Sequence, residues 1–211
     1  MITSLANERI KFLRKLQDRK AREESGLFFL EGLRVVAEAV DKGADLDTLV
    51  VSPDLLKSTF GQDLVARQHA QGTTLLEVSS DVCKRLSLKE GPQGLAAVAR
   101  QRWKSLDDVT FPSRSGLSSR TWVALDSIAD PGNLGTILRT HDAVGGEGVI
   151  LLDQSTDPYD PSAARASMGA LFTQTLVKAS FAQFCEWKLR AGVAVVGTSG
   201  AADIDYAHFR Y

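Results

Sequence analysis

Residues Gly148–Leu152 read Gly-Val-Ile-Leu-Leu, five in a row without a polar side chain. A strand with one wet face alternates apolar and polar residues. A strand with no polar position belongs where both faces of a sheet are covered, as in a parallel sheet flanked by helices. The surroundings agree. TWVALDSI, expected to be a strand, leads into the Gly- and Pro-bearing loop ADPGNLG and a helical pattern over Leu134–Val144, which Gly145 and Gly146 stop. After the apolar run come the loop Asp153–Pro161, a helix expected over Ser162–Leu171 and a strand over Gln174–Lys178. A helix over Phe181–Ala191 and a further strand at Val193–Gly197 follow. Right-handed crossovers would join these units into a doubly wound α/β sheet.

The first half alternates in the same way. Leu27–Leu30 is expected as a strand, and Gly32 opens a helix carrying Val35, Val36, Ala39 and Val40 that Gly43 ends. Strands at Leu49–Val51, Thr74–Val78 and Leu95–Ala99 are separated by helices at Phe60–Gln71 and Ser80–Leu88. This is a small α/β domain over residues 1–100. Between 101 and 120 the chain turns polar and irregular, with Pro112, Ser113, Ser115, Gly116, Ser118 and Ser119, so a linker is expected there and a second domain over 121–211.

Charge bounds the partners. The 25 Lys plus Arg nearly balance 26 Asp plus Glu, which excludes a uniformly basic coat but not a local patch. From Arg9 to Arg22 lie Arg9, Lys11, Arg14, Lys15, Arg19, Lys20 and Arg22, opposed only by Asp18, while Leu5, Phe12, Leu13 and Leu16 recur at helical spacing. The stretch is expected to be one amphipathic helix with a basic face, capped by Asn7. That face is either plainly solvated or a strip for phosphates. Cys83 and Cys185 lie far apart, and His69, His141 and His208 are dispersed. A disulfide framework and a metal site are both disfavoured, and a reducing cytosol is the default. No apolar run approaches the roughly 20 residues of a membrane span. GGEG at Gly145–Gly148 follows a helix and opens a strand, the reverse of a dinucleotide fingerprint, and GxxxxGK[ST] does not occur.

Ligands of open parallel sheets bind at the carboxyl ends of strands, where Asp130, Pro131, Gly132 and Asn133 are expected. Asn133 is either a helix N-cap or a site residue, and Arg139 either a surface cation or a catalytic one. Arg165, near a helix start, suits phosphate by its fork geometry or is a plain surface residue. Thr198, Ser199 and Gly200 follow the last expected strand as a ligand wall or a polar turn. Trp103, Trp122 and Trp187 read as core or linker packing.

The stretch DPGNLGTILRTHDAVGGEGVILLD closely resembles the first motif of the SpoU (TrmH-type) RNA methyltransferases of the SPOUT superfamily, Asn-x-Gly-x-x-x-Arg-Thr-x-x-Ala-x-Gly. It matches at Asn133, Gly135, Arg139, Thr140, Ala143 and Gly145. PYDPSAARASMGALF resembles the family's next segment, with Arg165, Ser167 and Gly169 in register. FLEGLRVVAEAV and GPQGLAAV resemble its N-terminal L30e-like RNA-binding domain. The resemblance runs from about Leu5 to Tyr211. It implies an L30e-like α/β domain followed by a SPOUT domain, an α/β-knot with a Rossmann-like parallel sheet. It also implies transfer of a methyl group from S-adenosylmethionine to a ribose 2′-hydroxyl of RNA, ribosomal RNA rather than transfer RNA, by a cytoplasmic homodimer without metal.

By the same resemblance Arg139 and Asn133 are catalytic, Thr198, Ser199 and Gly200 wall the adenosine of the cofactor, and Arg9, Lys11, Arg19, Arg34 and Arg165 contact RNA. Ser167 and Gly169 are expected to let a helix approach the sheet. The family's two later motifs, a Gly-Ser-Glu-x-x-Gly-like loop and a Ser-Leu-Asn-Val segment that build the knot and most of the cofactor pocket, do not occur in these 211 residues. The chain by itself is therefore expected to be inactive and to bind the cofactor weakly. The competing readings are a non-catalytic binder of structured RNA and a flavodoxin-like small-molecule protein, the second weakened by the missing phosphate signature.

Overall fold

In the computed structural model, which describes residues 1–88, 91–109 and 121–208, Gly148–Leu152 is a strand buried at every position. Its side chains divide between two cores. Val149 and Leu151 join one cluster, while Ile150 and Leu152 join another on the opposite face. This run is β6, the centre of a three-stranded parallel sheet in the order β5-β6-β7, with β5 at Trp122–Asp126 and β7 at Thr175–Ala179. Helices α6 (Pro131–Ala143) and α7 (Pro161–Ala166) cover the first face, burying Leu134, Leu138 and Ala164. Helix α8 (Phe181–Ala191) covers the second with Phe184 and Trp187.

The first half is a mixed four-stranded sheet in the order β1-β4-β2-β3, from β1 (Leu27–Glu31), β2 (Leu46–Val51), β3 (Thr74–Glu77) and β4 (Leu95–Arg100). β4 runs antiparallel to both of its neighbours, and β2 runs parallel to β3. Helices α1 (Glu8–Lys15) and α5 (Ser80–Leu86) pack on one face, with Ile10, Leu13 and Val82 against Phe29, Val50 and Val98. The other face, with α3 (Leu33–Asp41) and α4 (Thr59–Ala70), shares a continuous core with the second sheet. Phe28 of β1 sits 4.6 Å from the Tyr159 ring and 6.5 Å from that of Phe172. The two halves are thus joined by buried apolar surface and not only by the chain between them.

Four expectations are corrected. The basic stretch is two helices, α1 and α2 (Arg19–Ser25), because the carbonyls of Leu16 and Gln17 accept from the Arg22 guanidinium instead of continuing a helical ladder. Asn7 caps α1 as expected, its side chain accepting from the Arg9 N–H at 2.9 Å. The helix expected over Ser162–Leu171 stops at Ala166. Met168 and Gly169 both take positive φ, and a single 3-10 turn, Ala170–Phe172, follows.

Residues 101–109 of the expected linker are mostly exposed but pinned to the second sheet. Lys104 donates its N–H to Leu176 O beside β7, and Val109 is buried with Ile150 and Phe184. The rest of that segment, including Pro112, Ser113, Ser115, Gly116, Ser118 and Ser119, lies outside the described residues. Finally, Val193–Gly197 forms no strand. Among the described residues it pairs with no strand, and Val195 and Val196 stand exposed, since an apolar run becomes a strand only where a ladder receives it. Among the described residues no helix is long and apolar enough to cross a membrane, and no group of three His, Cys, Asp or Glu could hold a metal ion.

Candidate functional site

The carboxyl edge of the parallel sheet is built from two stitched loops. The loop after β6 holds the loop after β5 through Thr156 N–H to Ile128 O at 2.6 Å, and the end of β5 itself through Ser155 Oγ to Leu125 O at 3.2 Å. Both strands leave the sheet through a non-glycine residue in the left-handed region, Ser127 at φ 52° and Asp153 at φ 46°. Such conformations persist where the surrounding structure imposes them, and they concentrate at functional sites. Nothing in the sequence pattern signals them.

Helix α6 starts from this edge. Its N-cap is Asp130, not Asn133: the Asp130 carboxylate accepts from the Asn133 N–H at 2.6 Å, and Pro131 occupies the first turn. The Asn133 amide is thereby released from capping, exposed and without a hydrogen-bond partner among the described residues. Arg139 is exposed too, and among the described residues its guanidinium has no partner. Six residues of helix separate them by about 9 Å along the axis and roughly 240° around it, so they share the helix but not one stripe. Thr140 turns its hydroxyl back to Thr136 O.

Gly135 explains its own place in the motif. A Cβ there would stand 2.5 Å from Ala163 O and 2.6 Å from the Ala166 Cβ, so α6 and α7 touch through its bare backbone. Gly135→Ala is expected to force α7 away and cost about 1–3 kcal/mol, read as a lower thermal midpoint. An unchanged midpoint would mean that the helices separate freely.

On α7, Arg165 donates from Nη2 to Ser162 Oγ at 3.2 Å, while its buried Nη1 has no hydrogen-bond partner among the described residues. Ser167 is fully buried, and Gly169 stands against Glu38 of α3. The remaining expected RNA contacts are scattered. Arg9 and Lys11 ride on α1, on the face of the first sheet opposite α3, where Arg34 lies exposed beside Glu38. Lys11 pairs with Glu8 at 2.6 Å. Arg19 lies at the seam between the halves, bonded to Glu23 at 3.0 Å and to Ser155 O at 3.2 Å. The Glu23 carboxyl is held below its ordinary range by that Arg19 hydrogen bond and, further, by the charge of Lys178.

Thr198, Ser199 and Gly200 are exposed on the irregular stretch after α8. Ser199 accepts from the Ala201 N–H, and a Cβ on Gly200 would meet nothing within 4 Å. Without the strand before them they stand at no sheet end, and by themselves they form no cradle for a nucleoside.

Three features of this surface escaped the sequence reading. Arg22, counted with the basic strip, is buried and ion-paired to Asp157 and Asp160. Lys178 lines the seam. Trp103, read as packing, is 37% exposed there, whereas Trp187 is buried. The triplet Arg102-Trp103-Lys104, an aromatic between two cations, was the available signal.

Two family models match the chain, the MRM3-like substrate binding domain over residues 7–97 and the SpoU rRNA Methylase family over residues 120–211. Crystal structures of an rRNA methyltransferase from Sinorhizobium meliloti, one of them AdoMet-bound, are 37% identical and cover 99% of this chain and 76% of theirs, with TM-scores of 0.85 and 0.84. The 23S rRNA (guanosine(2553)-2′-O)-methyltransferase RlmP of Bacillus subtilis is 28% identical over 200 residues, 94% of this chain and 73% of that protein. The 23S rRNA (uridine(2479)-2′-O)-methyltransferase of Streptomyces viridochromogenes is 29% identical over 203 residues, 93% of this chain and 68% of that protein.

Proposed function

The chain belongs to the SpoU rRNA methylase family, and from that premise we propose that it methylates a ribose 2′-hydroxyl of ribosomal RNA with S-adenosylmethionine as donor. The observation that carries this reading is the release of Asn133 and Arg139 to solvent on one helix of the matched segment, with Asp130 taking the capping role. The donor supplies an already activated methyl group. What the protein must supply is placement of the ribose oxygen and stabilisation of the charge that develops on it. Arg139 meets the second need. A guanidinium is a delocalised positive charge with a planar fork of donors, and it stabilises the oxygen while the hydroxyl proton passes to phosphate or water. Asn133 orients the ribose. Arg165, with one buried N–H unpaired, holds a phosphate, and Arg9, Lys11, Arg19 and Arg34 guide RNA along the N-terminal unit.

The N-terminal unit, residues 1–100, is the RNA-binding domain of this reading, residues 101–120 join it to the catalytic unit, and the latter spans 121–211. Thr198, Ser199 and Gly200 act on the cofactor only when a further surface closes over them, which a cytoplasmic homodimer without metal would provide. The reaction is tested by incubating the full-length protein with tritiated S-adenosylmethionine and either rRNA or tRNA. Label is expected in rRNA, in dinucleotides that resist alkaline hydrolysis because the 2′-oxygen is blocked. Label in a base, or in tRNA alone, would overturn the assignment. Salt-sensitive rRNA binding without any label would favour the non-catalytic reading.

A further inference from the structure

A cleft of about 430 Å³ opens where α2, the stretch 101–104 and the loop after β6 meet. Its volume falls within the roughly 300–1,000 Å³ range of sites for small organic ligands. Trp103 forms one wall. Its indole N–H donates to Gln101 Oε1 at 2.9 Å, and its ring stands edge-on to Tyr159 at 5.4 Å. Tyr159 is itself fixed, its hydroxyl accepting from the Arg102 N–H and donating to Arg102 O, both at 2.8 Å. A large aromatic held in place at its edges and left 37% exposed is a preformed platform.

The walls carry cations that can meet an anion beside that platform. Arg19, Lys104 and Lys178 line the cleft with Glu23, Asp153 and Asp157. Glu23 is shared by Arg19 at 3.0 Å and Lys178 at 3.4 Å, and Asp157 is neutralised from behind by Arg22 at 2.6 Å. Arg22 is divided between Asp157 and Asp160, so the walls carry three cations against three carboxylates and the charge balances overall. The Lys104 backbone N–H is taken by Leu176 O, but its exposed ammonium, whose charge reaches Asp108, makes no hydrogen bond or ion pair among the described residues and is available to a ligand. Only one loop separates the cleft from the candidate active site. Thr156 lines the cleft, and its N–H bonds Ile128 O, five residues before Asn133.

We propose that this cleft is a subsite for one unpaired nucleotide of the RNA substrate, its base stacked on Trp103 and its phosphate held by Lys104 and Lys178. Base stacking on an aromatic platform tolerates any sequence, and the phosphate contact adds salt dependence. The inference rests on the rRNA reading given above, since it assumes that the ligand arrives as part of RNA.

The test uses the full-length protein with a fluorescein-labelled single-stranded hexauridylate, with uridine monophosphate and with a structured rRNA fragment. Trp103→Leu is expected to weaken hexauridylate binding about tenfold, and Trp103→Phe to recover most of it. Lys104→Ala, an exposed change that leaves packing alone, is expected to lower the slope of log affinity against log salt by about 0.7. Wild-type tryptophan fluorescence should be quenched on saturation. Unchanged hexauridylate affinity in Trp103→Leu, shown folded by its thermal transition, overturns the proposal. So does equal affinity for uridine monophosphate and hexauridylate, which would assign the cleft to a free nucleotide. Normal binding and methylation of the rRNA fragment by Trp103→Leu would sink the subsite and leave the methyltransferase reading standing. Loss of labelled rRNA product in the wild type, with hexauridylate still quenching Trp103, would do the reverse.

Discussion

Arg22→Met is expected to destabilise the protein by about 3–5 kcal/mol, a large share of what a domain of this size has. Arg22 is 2% exposed and uses every face of its guanidinium. Nε meets Asp157 Oδ2 at 2.6 Å, Nη2 meets Asp160 Oδ2 at 3.4 Å, and Nη1 donates to Leu16 O at 3.0 Å and Gln17 O at 2.7 Å. Methionine fills a similar volume but leaves the buried Asp157 carboxylate without a counter-charge and the carbonyls after α1 without this donor. The damage crosses the molecule, because Asp160 also caps α7 by accepting from the Ser162 N–H at 2.8 Å. Urea denaturation of Arg22→Met, Asp157→Leu and the double variant gives the check. The double variant should recover much of the loss, since an apolar pair has no uncompensated charge. A single variant within about 1 kcal/mol of wild type would mean that the pair contributes only as exposed pairs do.

Arg139→Ala is expected to lower the turnover of rRNA methylation by about 10²–10³-fold while leaving stability within about 0.5 kcal/mol of wild type. The second half follows from exposure: among the described residues Arg139 has no partner to lose. The first follows from the role we propose for it beside the ribose oxygen, where one donor removed from a forming oxyanion typically has this effect. Arg139→Lys separates charge from shape. If the planar fork matters, lysine restores little, and near-full turnover in that variant would exclude a guanidinium-specific role. Loss of RNA affinity equal to the loss of rate would instead make Arg139 a binding residue.

How far the sequence could be read depended on the range of the forces involved. The short elements were legible because their causes are local. Asn7 caps α1, Gly43 and Gly145 end helices in the left-handed conformation, and Gly148–Leu152 is apolar on both faces and buried on both. Where a cause lay far along the chain, the reading failed. Arg22 looked like one more solvated cation because its partners are 135 and 138 residues away. Val193–Gly197 has strand composition, yet composition carries no information about which edge will receive it. Asn133 and Asp130 are both competent caps, and the geometry of the turn at Pro131 selected Asp130.

The same division holds for function. The order of residues from Asp130 to Asp153 by itself pointed to the family and singled out Asn133 and Arg139 as candidates, because a motif of fixed spacing on one helix is a local object. Only the tertiary structure decided which cations are available to a ligand. Burial against Asp157 withdrew Arg22, opposite faces of one sheet separated Arg9 and Lys11 from Arg34, and closure of the seam brought Trp103, Lys104 and Lys178 into one cleft. Charge acts through space and is governed by desolvation, and neither quantity exists until the chain has folded.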